Sequence, residues 1–321
     1  MSDEPKADAP RRHERYDRLI AAARELRPTR TAIVHPCNEV SLESTVEAKR
    51  LGLIDPILVG PAARIREEAA KAGIDLGSLP IIDTAHSHDS AAKAVEQVRL
   101  GKAEALMKGS LHTDELMSAV VAREGGIRTA RRISHCFVMD VPGHADPLII
   151  TDAAINIAPT LDEKVDIVQN AIELAHALRF AEVRVAILSA METINAKVPS
   201  TLEAAALCKM AERGQIQGAL LDGPLALDNA ISPEAAAIKG IVSKVAGHAN
   251  VLVVPDLEAG NMLVKSLTFL AGADGGGIVL GARVPIILTS RADSLLVRLA
   301  SCAVASLVAE ARRSSAASSI R

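Results

Sequence analysis

Residues 31–60, TAIVHPCNEVSLESTVEAKRLGLIDPILVG, contain one complete strand–helix–strand unit. TAIVH at 31–35 and PILVG at 56–60 are short aliphatic runs, and SLESTVEAKRLG between them has the spacing of an amphipathic helix. The aliphatic runs are continuous and do not alternate with polar residues, which is the pattern of parallel strands covered by helices on both faces. The same texture extends outward. ARIREEAAKAG reads as a second helix closed by Gly73 at its C-cap, and PIID at 80–83 and ALMKG at 105–109 read as further strands. This alternation is that of an α/β sheet.

Composition supports this reading. The chain has 321 residues, 49 % hydrophobic and 23 % charged, with only 1 % aromatic, so its core must be built from Ala, Val, Ile and Leu. At about 100–200 residues per domain, the length suggests two domains and therefore a cleft. The net charge is −3, from 36 basic and 39 acidic residues, so no global positive field favours nucleic acid and any anion site must be local. Cys37, Cys136, Cys208 and Cys302 form no CxxC pair and read as small core residues of a cytoplasmic protein. The N-terminus, MSDEPKADAPRRHERYDRL, lacks an apolar segment; residues 1–10 are expected to be disordered rather than a secretory signal. The most apolar helix, 294–307, is interrupted by Arg298 and is shorter than the roughly 20 residues of a membrane span. It is expected in the core or in a subunit interface, with no membrane partner.

After residue 130 the texture changes. RISHCFVMD and PLIITD read as two strands joined by the Pro-Gly turn of VPGHAD, a hairpin expected to end the first sheet. Alternation then resumes: a helix near 162–180, VRVAIL at 183–188, a helix near 200–213, GALLD at 218–222, NVLVVPD at 250–256 and a helix near 258–271. Gly275-Gly-Gly277 comes after that helix and reads as a flexible turn. VPIILTSRADS at 284–294 then returns the chain to the first half. The expected architecture is two three-layer αβα domains with a cleft between them, one of residues 1–150 with 283–321 and the other of residues 151–282.

In such sheets ligands gather beyond the carboxyl ends of strands, where helix N-termini offer free N–H groups. The residues just beyond each strand are therefore informative: Lys108, Gly109 and Thr113; Thr151, Asp152 and Asn156; Ser189 and Glu192; Asp222; Asp256, Glu258 and Asn261; Thr289, Ser290, Arg291 and Asp293. Structural readings compete. Ser290, Asp293 or Ser294 could cap the last helix, worth about 1 kcal/mol. Asp222-Gly-Pro is a common turn. Asn261 and Lys265 lie four apart on one helix face and could simply be solvated. Arg291 is harder to treat this way, because a cation at a helix start opposes the helix dipole unless an anion offsets it. A phosphate there would take a bidentate guanidinium, the Ser290 hydroxyl and backbone N–H groups. No GxGxxG follows a strand, there is no GxxxxGK[ST], and His86 and His88 lack partner ligands in sequence. No nucleotide cofactor and no metal are expected.

LLDGPLALDNAIS, PDLEAGNMLVK and VPIILTSRADS, with the KGSLHT loop, carry a longer pattern. Over residues 30–312 the chain resembles the phosphate acetyltransferase and phosphate butyryltransferase family. That resemblance implies an isocitrate/isopropylmalate dehydrogenase-like fold and the reversible reaction of acyl-CoA with phosphate to give acyl phosphate and CoA. It implies coenzyme A and phosphate as substrates, no cofactor, a homo-oligomer, and coupling to an acyl kinase. Ser290 and Arg291 match the family's serine–arginine pair: Arg291 would hold phosphate or the CoA side of the site, and Ser290 would donate to the oxyanion or the departing sulfur. Asn261 and Lys265 match its GNxxxK stretch and would contact phosphate or the acyl carbonyl.

Two positions depart from the acetyl-type pattern. Val297 stands where those members carry an aspartate seven residues past the serine, and Phe269 where they carry an arginine four past the lysine. SRAD and Phe269 look like the butyryl branch, and Asp293 is the nearest replacement for the missing base. The candidate catalytic residues are thus Ser290, Arg291 and Asp293. The candidate substrate-binding residues are Lys265, Asn261, Thr289, Lys108, Gly109, Thr113, Asp152 and Asn156. Two other readings stay open: a metal- and NAD-dependent 2-hydroxyacid dehydrogenase of the same architecture, and a non-catalytic sensor of CoA or acyl phosphate.

Overall fold

The computed structural model describes residues 14–144, 146–290 and 293–318. Arg291 lies outside the described residues. The 31–60 unit forms as expected: β1 (Thr29–Val34), α2 (Glu39–Arg50) and β2 (Ile54–Val59), preceded by α1 (Glu14–Arg24). β1 and β2 pair in parallel, with Thr29 opposite Ile54, and α2 starts where the Asn38 side chain accepts the Ser41 N–H at 3.1 Å. α3 (Ala62–Lys71), β3 (Ile81–Ile82), α4 (Ser87–Arg99), β4 (Ala105–Lys108) and α5 (Thr113–Val121) continue the alternation. β5 (Ser134–Asp140) and β6 (Leu148–Thr151) make the antiparallel hairpin. They are followed by α6 (Leu161–Ala177), β7 (Arg184–Leu188), α7 (Pro199–Glu212), β8 (Leu220–Leu225), α8 (Leu227–Ile231) and α9 (Pro233–Ile238). β9 (Val251–Val253), α10 (Leu257–Phe269), β10 (Asp274–Leu280), β11 (Ile286–Ile287) and α11 (Leu295–Ser318) complete the described chain.

The hairpin does not end a first sheet. Among the described residues eleven strands form one sheet, in the order β3-β2-β1-β4-β11-β10-β5-β6-β9-β7-β8. The strand that joins the halves is β10, antiparallel to both β11 and β5, and it contains Gly275-Gly-Gly277, which sequence reading takes for a turn. Glycines weaken a strand interior unless another group approaches closely, and here three do. A Cβ at Gly275 would lie 2.7 Å from Met139 Sδ, one at Gly276 3.1 Å from Ser301 N of α11, and one at Gly277 2.8 Å from His135 Nε2.

Strand direction reverses within this sheet. β1 to β5 and β11 run one way, whereas β6 to β10 run the other. The carboxyl ends of the two sets therefore open towards opposite edges.

α11 packs against β10, α1 and α2, with Cys302, Ala303, Val304 and Ala305 at most 1 % exposed. No described helix is long and apolar enough to cross a membrane. All four cysteines are free thiols, and burial pushes the Cys136, Cys208 and Cys302 pKa values up to about 12.

The end of β4 approaches β1 closely. Gly109 N–H donates to Val34 O at 2.9 Å, and a Cβ at Gly109 would lie 2.5 Å from Val34 O and 2.6 Å from His35 O. Gly109→Ala should cost about 1–3 kcal/mol, as overpacking does, and lower the urea midpoint at unchanged m-value. A wild-type midpoint would mean that the loop yields freely.

Candidate active site

The site is built around the turn between β11 and α11. Thr289 is 3 % exposed and Ser290 is exposed. The turn closes on itself: the Asp293 carboxylate accepts the Ser290 N–H at 2.6 Å, and Ser290 O accepts the Asp293 N–H at 3.3 Å. Ser294 Oγ accepts the Val297 N–H at 3.3 Å, so Ser294 caps the helix and Asp293 closes the turn before it. Arg298, one turn into α11, holds this segment from the buried side. Its Nη1 donates to Thr289 Oγ1 at 3.0 Å, its Nη2 to Ser290 O, and its Nε to Asp293 O at 3.3 Å. Arg298 is 4 % exposed, and burial lowers its pKa against the opposing pull of Asp293.

A cleft of about 1050 Å³ opens over this turn. One wall is the loop after β4. There Lys108, 7 % exposed, directs Nζ towards the carbonyls of Gly109 (3.4 Å) and Leu111 (3.3 Å), and Ser110 Oγ ties the loop to His35 O at 2.8 Å. The floor follows the pleat. His135, Phe137 and Met139 of β5 and Gly275 and Gly277 of β10 line the cleft, while Gly276 faces α11. The opposite wall is α10, with Asn261, Lys265, Thr268 and Phe269. Gly260 lets this helix approach: a Cβ there would lie 2.9 Å from Ala153 Cβ, and Asn261 Nδ2 donates to Ala153 O at 3.3 Å.

Of the residues singled out in sequence, Lys108, Thr113, Asn261, Lys265, Thr289, Ser290 and Asp293 line this one cleft, as do Phe269 and Val297. Phe269 is 80 % exposed and forms a rim rather than a closed wall. Gly109, Asp152 and Asn156 are not among the lining residues. Asp152 and Asn156 stabilise a buried turn after β6. The Asp152 carboxylate accepts the N–H groups of Ala154 (2.9 Å), Ile155 (3.0 Å) and Asn156 (3.3 Å) and the Asn156 side-chain amide (2.6 Å), while Asn156 Oδ1 accepts from Arg132 Nε at 2.7 Å. The residues after β4 and β11 reach the cleft, and so do Asn261 and Lys265 of α10 beyond β9, whereas Ser189, Glu192, Asp222, Asp256 and Glu258 do not line it.

Sequence reading missed His135, Phe137 and Arg298. His135 is 1 % exposed, its Nδ1 has no hydrogen-bond partner among the described residues, and its ring centroid lies 4.3 Å from that of Phe137. Burial lowers its pKa to about 4, with nearby Asp152 pulling it back up. The signal was a histidine inside the apolar run RISHCFVMD. A smaller cavity, about 380 Å³, shares Leu111 and His112 with the cleft and is lined also by His35, Asn38, Arg64 and Glu115.

The family model described as "Phosphate acetyl/butaryl transferase" matches residues 84–305. The chain belongs to the phosphate acetyl/butyryl transferase family. The members of this family are acyltransferases. The chain is 66 % identical over 304 residues to the phosphate acetyltransferase of Rhizobium meliloti, covering 95 % of this chain and 96 % of that one. It is 41 % identical over 294 residues to the phosphate butyryltransferase of Clostridium acetobutylicum, covering 92 % and 98 %. Its structure is similar to that of a phosphotransacetylase from Streptococcus pyogenes, with TM-score 0.80 and 25 % identity over 92 % of this chain and 99 % of that one. A 4-hydroxythreonine-4-phosphate dehydrogenase from Klebsiella pneumoniae shares the fold alone, with TM-score 0.52 and 13 % identity over 88 % and 99 %.

The buried imidazole has a consequence for pH. Between its ordinary pKa of 6.5 and its folded value of about 4, His135 is protonated in the unfolded chain and neutral in the folded one. The unfolded state then binds more protons, so stability falls as pH drops through that window, by on the order of 2 kcal/mol. His135→Leu should flatten the decline in urea midpoint between pH 6.5 and 4.5. An unchanged slope would assign the decline to other groups.

Proposed function

We propose that the protein transfers short acyl groups between coenzyme A and phosphate, reversibly, in the cleft over the β11–α11 turn. One observation supports this most directly: seven chemistry-bearing residues between Lys108 and Asp293, far apart in sequence, line a single cleft. A phosphate oxygen attacks the thioester carbonyl carbon, the carbonyl π electrons move to oxygen, and the C–S bond breaks as that oxyanion collapses. The CoA thiolate leaves and takes up a proton. Phosphate is partly dianionic at neutral pH and mainly needs positioning. Arg291, Lys265 and Lys108 hold it, with Asn261, Thr113 and Thr289 as neutral contacts. The Ser290 hydroxyl donates to the oxyanion or the departing sulfur, a contribution of about 3–4 kcal/mol to the barrier. Asp293, which already accepts the Ser290 N–H, takes the CoA proton in the reverse direction.

The acyl range is short-chain and broad. Phe137, Met139, Val264, Leu288 and Val297 give the cleft an apolar lining that favours a butyryl group. The 66 % identical relative, however, is named for acetyl transfer. One methylene gives only about 1–3 kcal/mol of discrimination, so both substrates are expected to react. The reading extends to a homo-oligomer without a resident cofactor, coupled to an acyl kinase in the cytoplasm. The four free thiols support that location. It also retains residues 1–150 with 283–321 and residues 151–282 as the two units of a dehydrogenase-like arrangement.

Phosphate-dependent release of thiol from acetyl-CoA, propionyl-CoA and butyryl-CoA tests this. Ser290→Ala should lower kcat about 10²–10³-fold. Arg291→Ala should raise the KM for phosphate, and a chelator should leave the rate unchanged. Thiol release that does not need phosphate would contradict the proposal. A rate abolished by the chelator would favour the metal-dependent reading.

A further inference from the structure

Arg298 is a buried cation whose hydrogen bonds go to a hydroxyl and two carbonyls, and no ion pair among the described residues includes it. Burying a guanidinium without a carboxylate is costly, and this one also stands in the first turns of a helix, where the dipole disfavours positive charge. A requirement for packing alone would be met by an aliphatic side chain, as at the neighbouring Leu299. What an aliphatic side chain cannot supply is the set of donors. Three N–H groups on one rigid plane reach Thr289 Oγ1, Ser290 O and Asp293 O, so Arg298 spans the whole turn that presents Ser290. Arg298 is absent from the residues that line the cleft, so it acts through that turn and not on substrate.

We infer that Arg298 is the positioning residue of the acyl-transfer site. It holds Thr289, Ser290 and Asp293 in the arrangement that places Ser290 at the cleft. Lysine cannot replace it, because an ammonium offers point contacts in place of a planar fork. Displacement of a reacting group by about 1 Å can cost 10²-fold in rate. The inference rests on the reading of Ser290 as the group that donates to the reacting atoms.

The test compares wild type, Arg298→Lys, Arg298→Met, Ser290→Ala and Ser290→Ala/Arg298→Met. Each is assayed for kcat and KM with butyryl-CoA and phosphate, and for thermal midpoint by circular dichroism. Arg298→Met should lower kcat about 100-fold at an acyl-CoA KM within about threefold of wild type. Arg298→Lys should keep the thermal midpoint within a few degrees and still lose at least tenfold in kcat. In the Ser290→Ala background, Arg298→Met should cost less than about threefold more, because two residues acting as one unit are not additive. Wild-type kcat in Arg298→Lys, or single-variant losses that multiply in the double variant, would overturn the inference while leaving Ser290 in place. Full activity of Ser290→Ala would instead remove the reading of Ser290, and with it the route assigned to Arg298.

Discussion

Three side chains that are absent decide where chemistry can occur. With no Cβ at Gly275, Gly276 and Gly277, β10 lies between β11 and β5 with the α11 backbone against one face and His135 and Met139 against the other. Any larger residue would meet a backbone nitrogen, a thioether or an imidazole. Because β10 lies at this central position, the chain leaving α10 re-crosses the middle of the sheet before it reaches the β11–α11 turn. Asn261 and Lys265 on the helix before β10, and Thr289 and Ser290 on the turn after it, are thereby brought to one cleft. The Lys108 loop joins them because β4 is the parallel neighbour of β11.

Polar groups at the site divide by what they satisfy. Asp152 and Asn156 spend their hydrogen-bonding capacity on a buried turn, which is what buried carboxylates and amides need in order to be tolerated. Ser294 caps the last helix and Asp293 closes the turn before it. Ser290 and Lys265 differ in being exposed at the cleft. The charge that organises the turn is buried behind it at Arg298, where water does not screen it. A fixed donor network in a dry environment is the condition under which oxyanion stabilisation is large.

Much of the fold was legible in the residues themselves. TAIVH, PILVG, ALMKG and VRVAIL became strands because continuous aliphatic runs have few other ways to be buried. The join between the halves was not legible. A glycine triplet has no hydrophobic periodicity, and its reason for being a strand lies in Met139, His135 and Ser301, which are distant in sequence. Strand direction was equally hidden. The rule that ligands lie beyond strand ends selected Lys108 and Ser290, which line the cleft, together with Asp152 and Asn156, which do not. Arg298 was visible only as an interruption in an apolar helix. A cation at a helix start needs a compensating partner, and for Arg298 the partners are the carbonyls and hydroxyl of the turn.

The central claim is that the thioester and phosphate meet at the β11–α11 turn. The most direct measurement is a crystal structure of the protein with CoA and phosphate bound. The account predicts the CoA sulfur within about 3.5 Å of the Ser290 hydroxyl, the separation of reacting groups held for attack, with phosphate on the Lys265 side of the cleft. A sulfur seated instead in the smaller cavity by His35 and Arg64, with Ser290 facing only solvent, would contradict it.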